Sequence, residues 1–164
     1  METQASNEEL LNFFKALADG QRRVTILACG TSYHAGLVGK YWLESLAGVP
    51  TDVEYASEFR YRDFLIDNRT LVIGVSQSGE TADTLAALRA TKNRAAAILA
   101  VTNAVSSSVA RDAHGVLYTH AGPEIGVAAT KTFTAQMTAL VLIGLALRQA
   151  KGTLDERTAL EIIQ

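Results

Sequence analysis

A chain of 164 residues with 48 % hydrophobic and 20 % charged side chains has the make-up of one ordinary folded domain and excludes wholesale disorder. A formal net charge of −2 and a pI near 5.9 argue against nucleic acid as the main partner, because phosphate backbones select basic faces. One cysteine excludes an internal disulfide and suits a reducing cytoplasm.

The polar, acidic start, Met1 to Glu9, lacks the pattern of a signal peptide. Ser6-Asn-Glu-Glu9 reads as a capping box, and Leu10, Phe14 and Leu17 follow at helical spacing until Asp19-Gly20. Val24 to Cys29 reads as a first strand, apolar but for Thr25 and so expected to be covered on both faces. Ser32 is expected to open a helix that sets Val38, Trp42 and Leu46 on one side and stops at Gly48-Val-Pro50. Asp52 to Tyr55 follows as a short strand, then a helical turn over Ala56 to Arg62.

Leu71 to Val75 is the third expected strand, and a helix from Thr81 to Thr91 turns Leu85 and Leu88 inward. Ala97 to Val101 is the fourth strand, with Thr102-Asn103 at its end and a short helix near Ser107 to Arg111. Gly115 to Tyr118 is the fifth. The glycine-punctuated loop Ala121 to Ala128 leads to a long helix from Thr130 to Ala150, closed by Gly152. Thr153-Leu-Asp-Glu156 resembles the capping box of a last helix running to Gln164. The apolar run Met137 to Leu147 is shorter than the ~20 residues that cross a bilayer, so it is expected in the core or at a subunit contact.

Strands alternating with helices predict a parallel sheet in a three-layer α/β/α domain, with the doubly wound order 2-1-3-4-5. In that order strand one lies beside strand three, and a crevice opens at their C-terminal ends. Two turns are expected to face each other there: Cys29-Gly-Thr-Ser32 and Ser76-Gln-Ser-Gly-Glu-Thr81. Hydroxyls and backbone N–H groups at helix starts are phosphate receptors. Serine and threonine also cap helices routinely, so each hydroxyl by itself has a structural reading as well. No Walker A or G-x-G-x-x-G sequence is present. Gly74-Val-Ser-Gln-Ser78 approaches a nucleophile elbow with His114 or His120 as base, but Ser78 replaces the closing glycine. Cys29 is expected to be a buried, inert thiol; His34 and Lys131 are expected at the surface. Glu80 reads either as a proton carrier or as a helix-start carboxylate held by the dipole. No cluster has metal-ligand spacing, and neither metal nor cofactor is expected.

Four stretches, Cys29-Gly-Thr-Ser-Tyr33, Ala56-Ser-Glu-Phe-Arg-Tyr-Arg62, Ser76 to Thr84 and Glu124-Ile-Gly-Val-Ala128, resemble the sugar isomerase (SIS) domains. Within that group they resemble the first SIS domain of the glucosamine-6-phosphate synthases, over residues 23 to 150. The resemblance implies a flavodoxin-like, five-stranded parallel sheet. It implies a role in making glucosamine 6-phosphate from fructose 6-phosphate and glutamine, with these sugar phosphates as ligands. By match, Thr31, Ser32, Ser76, Gln77, Ser78 and Thr81 bind the phosphate, while Val127 and Ala129 line the sugar end. Those synthases usually carry serine where Ala129 stands, so only backbone contacts are expected there.

The resemblance places the nucleophilic cysteine of the glutaminase, and the glutamate, histidine and lysine of the isomerase, on segments with no counterpart in this sequence. It therefore implies an N-terminal helix over 1–22, a SIS domain over 23–150, and a linker over 151–164 towards a second SIS domain. It also implies catalytic residues that lie elsewhere, while the single cysteine, the charge and the apolar run Met137 to Leu147 point to a cytoplasmic homo-oligomer with no membrane or nucleic-acid partner. A stand-alone single-SIS isomerase and a non-catalytic sugar-phosphate sensor are the alternatives.

Overall fold

The computed structural model describes residues 12, 14, 15, 23–126, 128–155, 157, 158 and 161. Most of the expected helix over 1–22, with its Ser6–Glu9 capping box, lies outside those residues, as do Val127, Glu156 and much of the last expected helix.

Five strands form one sheet: β1 (Arg23–Ala28), β2 (Thr51–Tyr55), β3 (Thr70–Ser76), β4 (Ala97–Thr102) and β5 (Gly115–Tyr118). Every pairing is parallel and the order is β2-β1-β3-β4-β5, as the alternation of elements predicts. All residues of β3 and β4 are buried, and all but the first of β1, whereas the edge strands β2 and β5 are half-exposed. Successive side chains point to opposite faces. Val24, Ile26, Leu71, Ile73, Leu99 and Val101 therefore face one core, and Leu27, Val72, Ile98 and Ala100 face the other.

Helices α1 (Gly30–Ala47) and α5 (Lys131–Ala150) cover the first face. Three shorter helices cover the second: α2 (Ala56–Phe59), α3 (Ala82–Thr91) and α4 (Ser108–Asp112). This is the three-layer α/β/α arrangement.

The buried stripe of α1 differs from the expected one. Val38, Trp42 and Leu46 are only half-buried, while Ser32, Ala35, Gly36, Gly39, Leu43 and Ala47 are buried. Small residues let α1 lie close against its neighbours. A β-carbon at Gly39 would sit 2.4 Å from Leu140 Cδ1 of α5. The helix also begins two residues before Ser32, with Cys29 at its N-cap.

At α5 the apolar run lies in the core, one of the two places expected for it, and one expectation changes beyond it. The helix is longer than its apolar run and, among the described residues, is the one long and apolar enough to cross a membrane. Its Ala139, Leu140, Ile143 and Leu147 instead pack into the first core. After it, the Thr153 hydroxyl donates to Arg148 O rather than opening a helix. Asp155 takes the capping role, accepting the Thr158 N–H at 2.8 Å and its hydroxyl at 2.7 Å.

Candidate functional site

Ala28 pairs with Val75, so β1 and β3 reach the same sheet edge in step. The chain leaves β1 into α1 on one face and leaves β3 into α3 on the other. A crevice opens between the two departures, the topological switch point of this strand order. The Thr84 hydroxyl of α3 donates to Cys29 Sγ across it at 3.9 Å. Residues 31–32 and 76–81 thus lie at one edge, on adjoining strand ends.

The second turn is organised by its own hydroxyls. Ser76 Oγ accepts the Gly79 N–H at 3.1 Å and lies 3.0 Å from Thr81 Oγ1. Ser78 Oγ accepts the Glu80 N–H at 3.2 Å. Ser76 and Thr81 use one of their two hydroxyl protons on each other, and Ser78 uses only a lone pair. Two hydroxyl protons therefore remain to be donated to an anion. Ser76 is 2 % exposed and fixed, while Ser78 is open to solvent.

In the first turn, the hydroxyls of Thr31 and Ser32 make no hydrogen bond among the described residues. They stand in the first turn of α1, an 18-residue helix whose unsatisfied N–H groups carry the positive end of its dipole. The capping alternative fails for both helices: neither the N-cap Cys29 of α1 nor the N-cap Thr81 of α3 makes a side-chain cap bond.

The β4–α4 connection braces the second turn from behind. Gln77 O accepts the Asn103 N–H at 3.1 Å, and Gly79 O accepts the Val109 N–H at 3.0 Å. Glu80 Oε1 accepts the Ser108 N–H at 2.7 Å, so this carboxylate serves the start of α4 and not its own helix. That backbone bond, with Ser108's side chain second, holds Glu80 below the usual glutamate range. Ser107 Oγ is buried and has no hydrogen-bond partner among the described residues. It lies directly under Gly79, whose φ of +65° and lack of a side chain the packing demands.

The connection 119–130 approaches the same edge. The side chain of Asn103 accepts from the Thr119 hydroxyl and the Ala121 N–H, and donates to Gly122 O. At the far end, Glu124 accepts the N–H groups of Thr130, Lys131 and Thr132 together with the hydroxyls of both threonines. The Thr132 hydroxyl first, then the Thr130 N–H, pull the Glu124 carboxyl down to about 2. Ala129 is half-buried between these anchors; Val127 lies outside the described residues.

The hydrolase reading loses His114 as its base. Ser76 Oγ is engaged with Thr81 and Gly79, and His114 Nδ1 accepts the Ile98 N–H at 2.9 Å near the start of β4, away from Ser76. Cys29 is half-exposed, not buried as expected; His34 and Lys131 are exposed. A cleft of about 430 Å³ opens at the opposite sheet edge, between Arg23, Phe64, Leu65 and Arg69. Its arginines face Asp52 and Asp67, so its charges are already matched.

The model of the SIS domain family matches residues 17–146. The glutamine–fructose-6-phosphate aminotransferase (isomerizing) of Bacteroides thetaiotaomicron is 54 % identical over 143 residues, 87 % of this chain and 23 % of that protein. The protein of the same name from Aquifex aeolicus is 63 % identical over 119 residues, 73 % of this chain and 20 % of its own length. Among solved structures, the C-terminal domain of glucosamine-fructose-6-phosphate aminotransferase from Francisella tularensis superposes with a TM-score of 0.88 at 40 % identity. That match covers 97 % of this chain and 44 % of the other. The chain thus spans less than a quarter of the length of the full-length relatives described here.

Proposed function

The chain belongs to the SIS domain family, and from that premise we propose that it is the sugar-phosphate-binding half of the isomerase module of a glucosamine-6-phosphate synthase. In this reading it is the first of two SIS domains. Fructose 6-phosphate, and glucosamine 6-phosphate as product, place their phosphate between Thr31-Ser32 and Ser76, Gln77, Ser78 and Thr81. The sugar extends towards Val127 and Ala129. Residues 151–164 lead towards the second SIS domain, and a glutaminase domain and a further copy of the protein complete a cytoplasmic assembly. Proton transfer and ring opening fall to those other segments; this chain binds and orients.

The observation that carries the reading is the meeting of two hydroxyl-bearing turns at adjoining strand ends, with protons left over after their internal bonds. A dianion there is met by dipoles and hydroxyls, which suits a chain of net charge −2. Each charge-assisted bond is worth about 1.5–3 kcal/mol, so three or four suffice without a lysine.

The test is titration of the isotopically labelled chain with fructose 6-phosphate, followed by amide chemical shifts. Shifts centred on 30–32 and 76–81, saturating at millimolar ligand and absent with fructose, are expected. Ser76→Ala should weaken binding by about 1–3 kcal/mol. Shifts centred elsewhere, or none at all, refute the proposal.

A further inference from the structure

We propose that Asn103 and Glu124 are positioning residues that hold the sugar-side wall of the crevice, separately from the turn that holds the phosphate. This inference rests on the reading just given, in which residues 76–81 meet the phosphate and Ala129 lies at the sugar end.

Among the described residues of the connection 119–130 none is fully buried, and Ile125 is entirely exposed. The path of this connection is set by polar bonds at its two ends. At the first end, Asn103 Oδ1 accepts the Ala121 N–H at 2.8 Å and the Thr119 hydroxyl at 3.1 Å, while Nδ2 donates to Gly122 O at 2.8 Å. At the second end, the Glu124 carboxylate takes the place of an anion at the start of α5. It accepts the Thr130 N–H at 2.8 Å, the Lys131 N–H at 3.1 Å and the Thr132 N–H at 3.3 Å. The 20-residue helix behind those groups adds its dipole to the attraction. Ala129 directly precedes the Thr130 N–H that Glu124 holds, so this anchor lies beside it.

Asn103 ties this wall to the phosphate turn through different atoms. Its backbone N–H, not its side chain, donates to Gln77 O at 3.1 Å. A side-chain substitution at 103 leaves that backbone bond in place. Removing the amide should therefore loosen the sugar wall and leave the phosphate turn as it was. Among the described residues the hydrogen bonds of Glu124 run to 130–132 and not to the 76–81 turn, and its removal should act in the same selective way.

The experiment compares inorganic phosphate and fructose 6-phosphate as ligands for the wild-type chain, Asn103→Ala and Glu124→Ala, by the same amide titration. In the wild type the hexose phosphate should bind more tightly than phosphate. In either variant that preference should fall by about tenfold, towards parity, while phosphate affinity holds within twofold. Glu124→Gln, which keeps an acceptor oxygen, should recover part of it. A general loss of structure would weaken both ligands together; that result, or an unchanged preference in both variants, overturns the inference. If Asn103→Ala does not fold, the Glu124→Ala and Glu124→Gln pair decides. A wild-type chain that binds neither ligand refutes the underlying reading instead.

Discussion

Replacing Gly79 with alanine tests the packing that shapes the second turn. The residue has a φ of +65°, which costs a residue with a β-carbon about 1–2 kcal/mol. The added carbon would lie 2.1 Å from Ser107 Oγ, 2.4 Å from Ser107 Cβ and 2.9 Å from Thr102 Oγ1. Ser107 is 4 % exposed and Thr102 fully buried, so neither can swing into solvent. Forcing a methyl group into such space costs about 1–3 kcal/mol. The sum, about 2–5 kcal/mol, is a large share of the ~5–15 kcal/mol by which a domain is stable. At roughly 2–4 °C per kcal/mol for a chain of this size, Gly79→Ala should lower Tm by roughly 4–20 °C, read by circular dichroism. Adding Ser107→Gly removes the closest contacts but not the backbone strain. The double variant should therefore be more stable than the sum of single effects by about 1–3 kcal/mol. A Tm shift below about 2 °C for Gly79→Ala, or strict additivity, would show that the turn is not pinned against the β4–α4 connection.

Glu124 carries a pH prediction. Its carboxyl is depressed from 4.5 to about 2, so its contribution to stability is complete above the unfolded value and disappears as pH falls through the folded one. The urea midpoint of the wild type should exceed that of Glu124→Gln by a constant margin above pH 5, and the margin should close between pH 4.5 and 2; a margin that is flat down to pH 2 contradicts the bonding described. At the interface of α1 and α5, Gly39→Ala meets Leu140 Cδ1 at 2.4 Å. The clash, about 1–3 kcal/mol, equals or exceeds the roughly 1 kcal/mol that alanine gains over glycine inside a helix. Net destabilisation of about 0–2 kcal/mol is expected in urea unfolding, and a stabilised variant would show that the helices are not in close contact.

The sheet was legible because its central strands are covered on both faces. Runs such as Leu71-Val-Ile-Gly-Val75 have no polar residue to blur them, and turn residues bound them. Expected strand limits differ from the observed ones by a residue at most. Helix α1 was harder. Val38, Trp42 and Leu46 stand on one side at helical spacing, yet close approach to Leu140 and to Ile26 favours Ala35, Gly36 and Gly39 in the contact. Periodicity weighs a side chain by its hydrophobicity, whereas a tight helix contact rewards the absence of one. The misplaced last cap has a similar origin. Thr153-Leu-Asp-Glu156 and Asp155 with Thr158 both satisfy local spacing, and only the acceptor on Arg148 separates them.

At the candidate site, the hydroxyl turns were legible for a local reason: each lies within a few residues of the strand that carries it, so spacing and topology alone bring them together. Asn103 and Glu124 escaped because their partners are not local. Asn103 reaches residues 16 to 19 positions ahead. Glu124 caps α5 from six to eight residues away, outside the three-residue spacing of a capping box. Glu80 points the same way: read on its own helix it is a first-turn carboxylate, yet its oxygen is bonded to Ser108, 28 residues on. Side chains that bind a ligand can be recognised by what they could offer an anion. Side chains that hold the binders in place are recognised only by whom they touch, and in this fold those contacts cross from one strand end to the next.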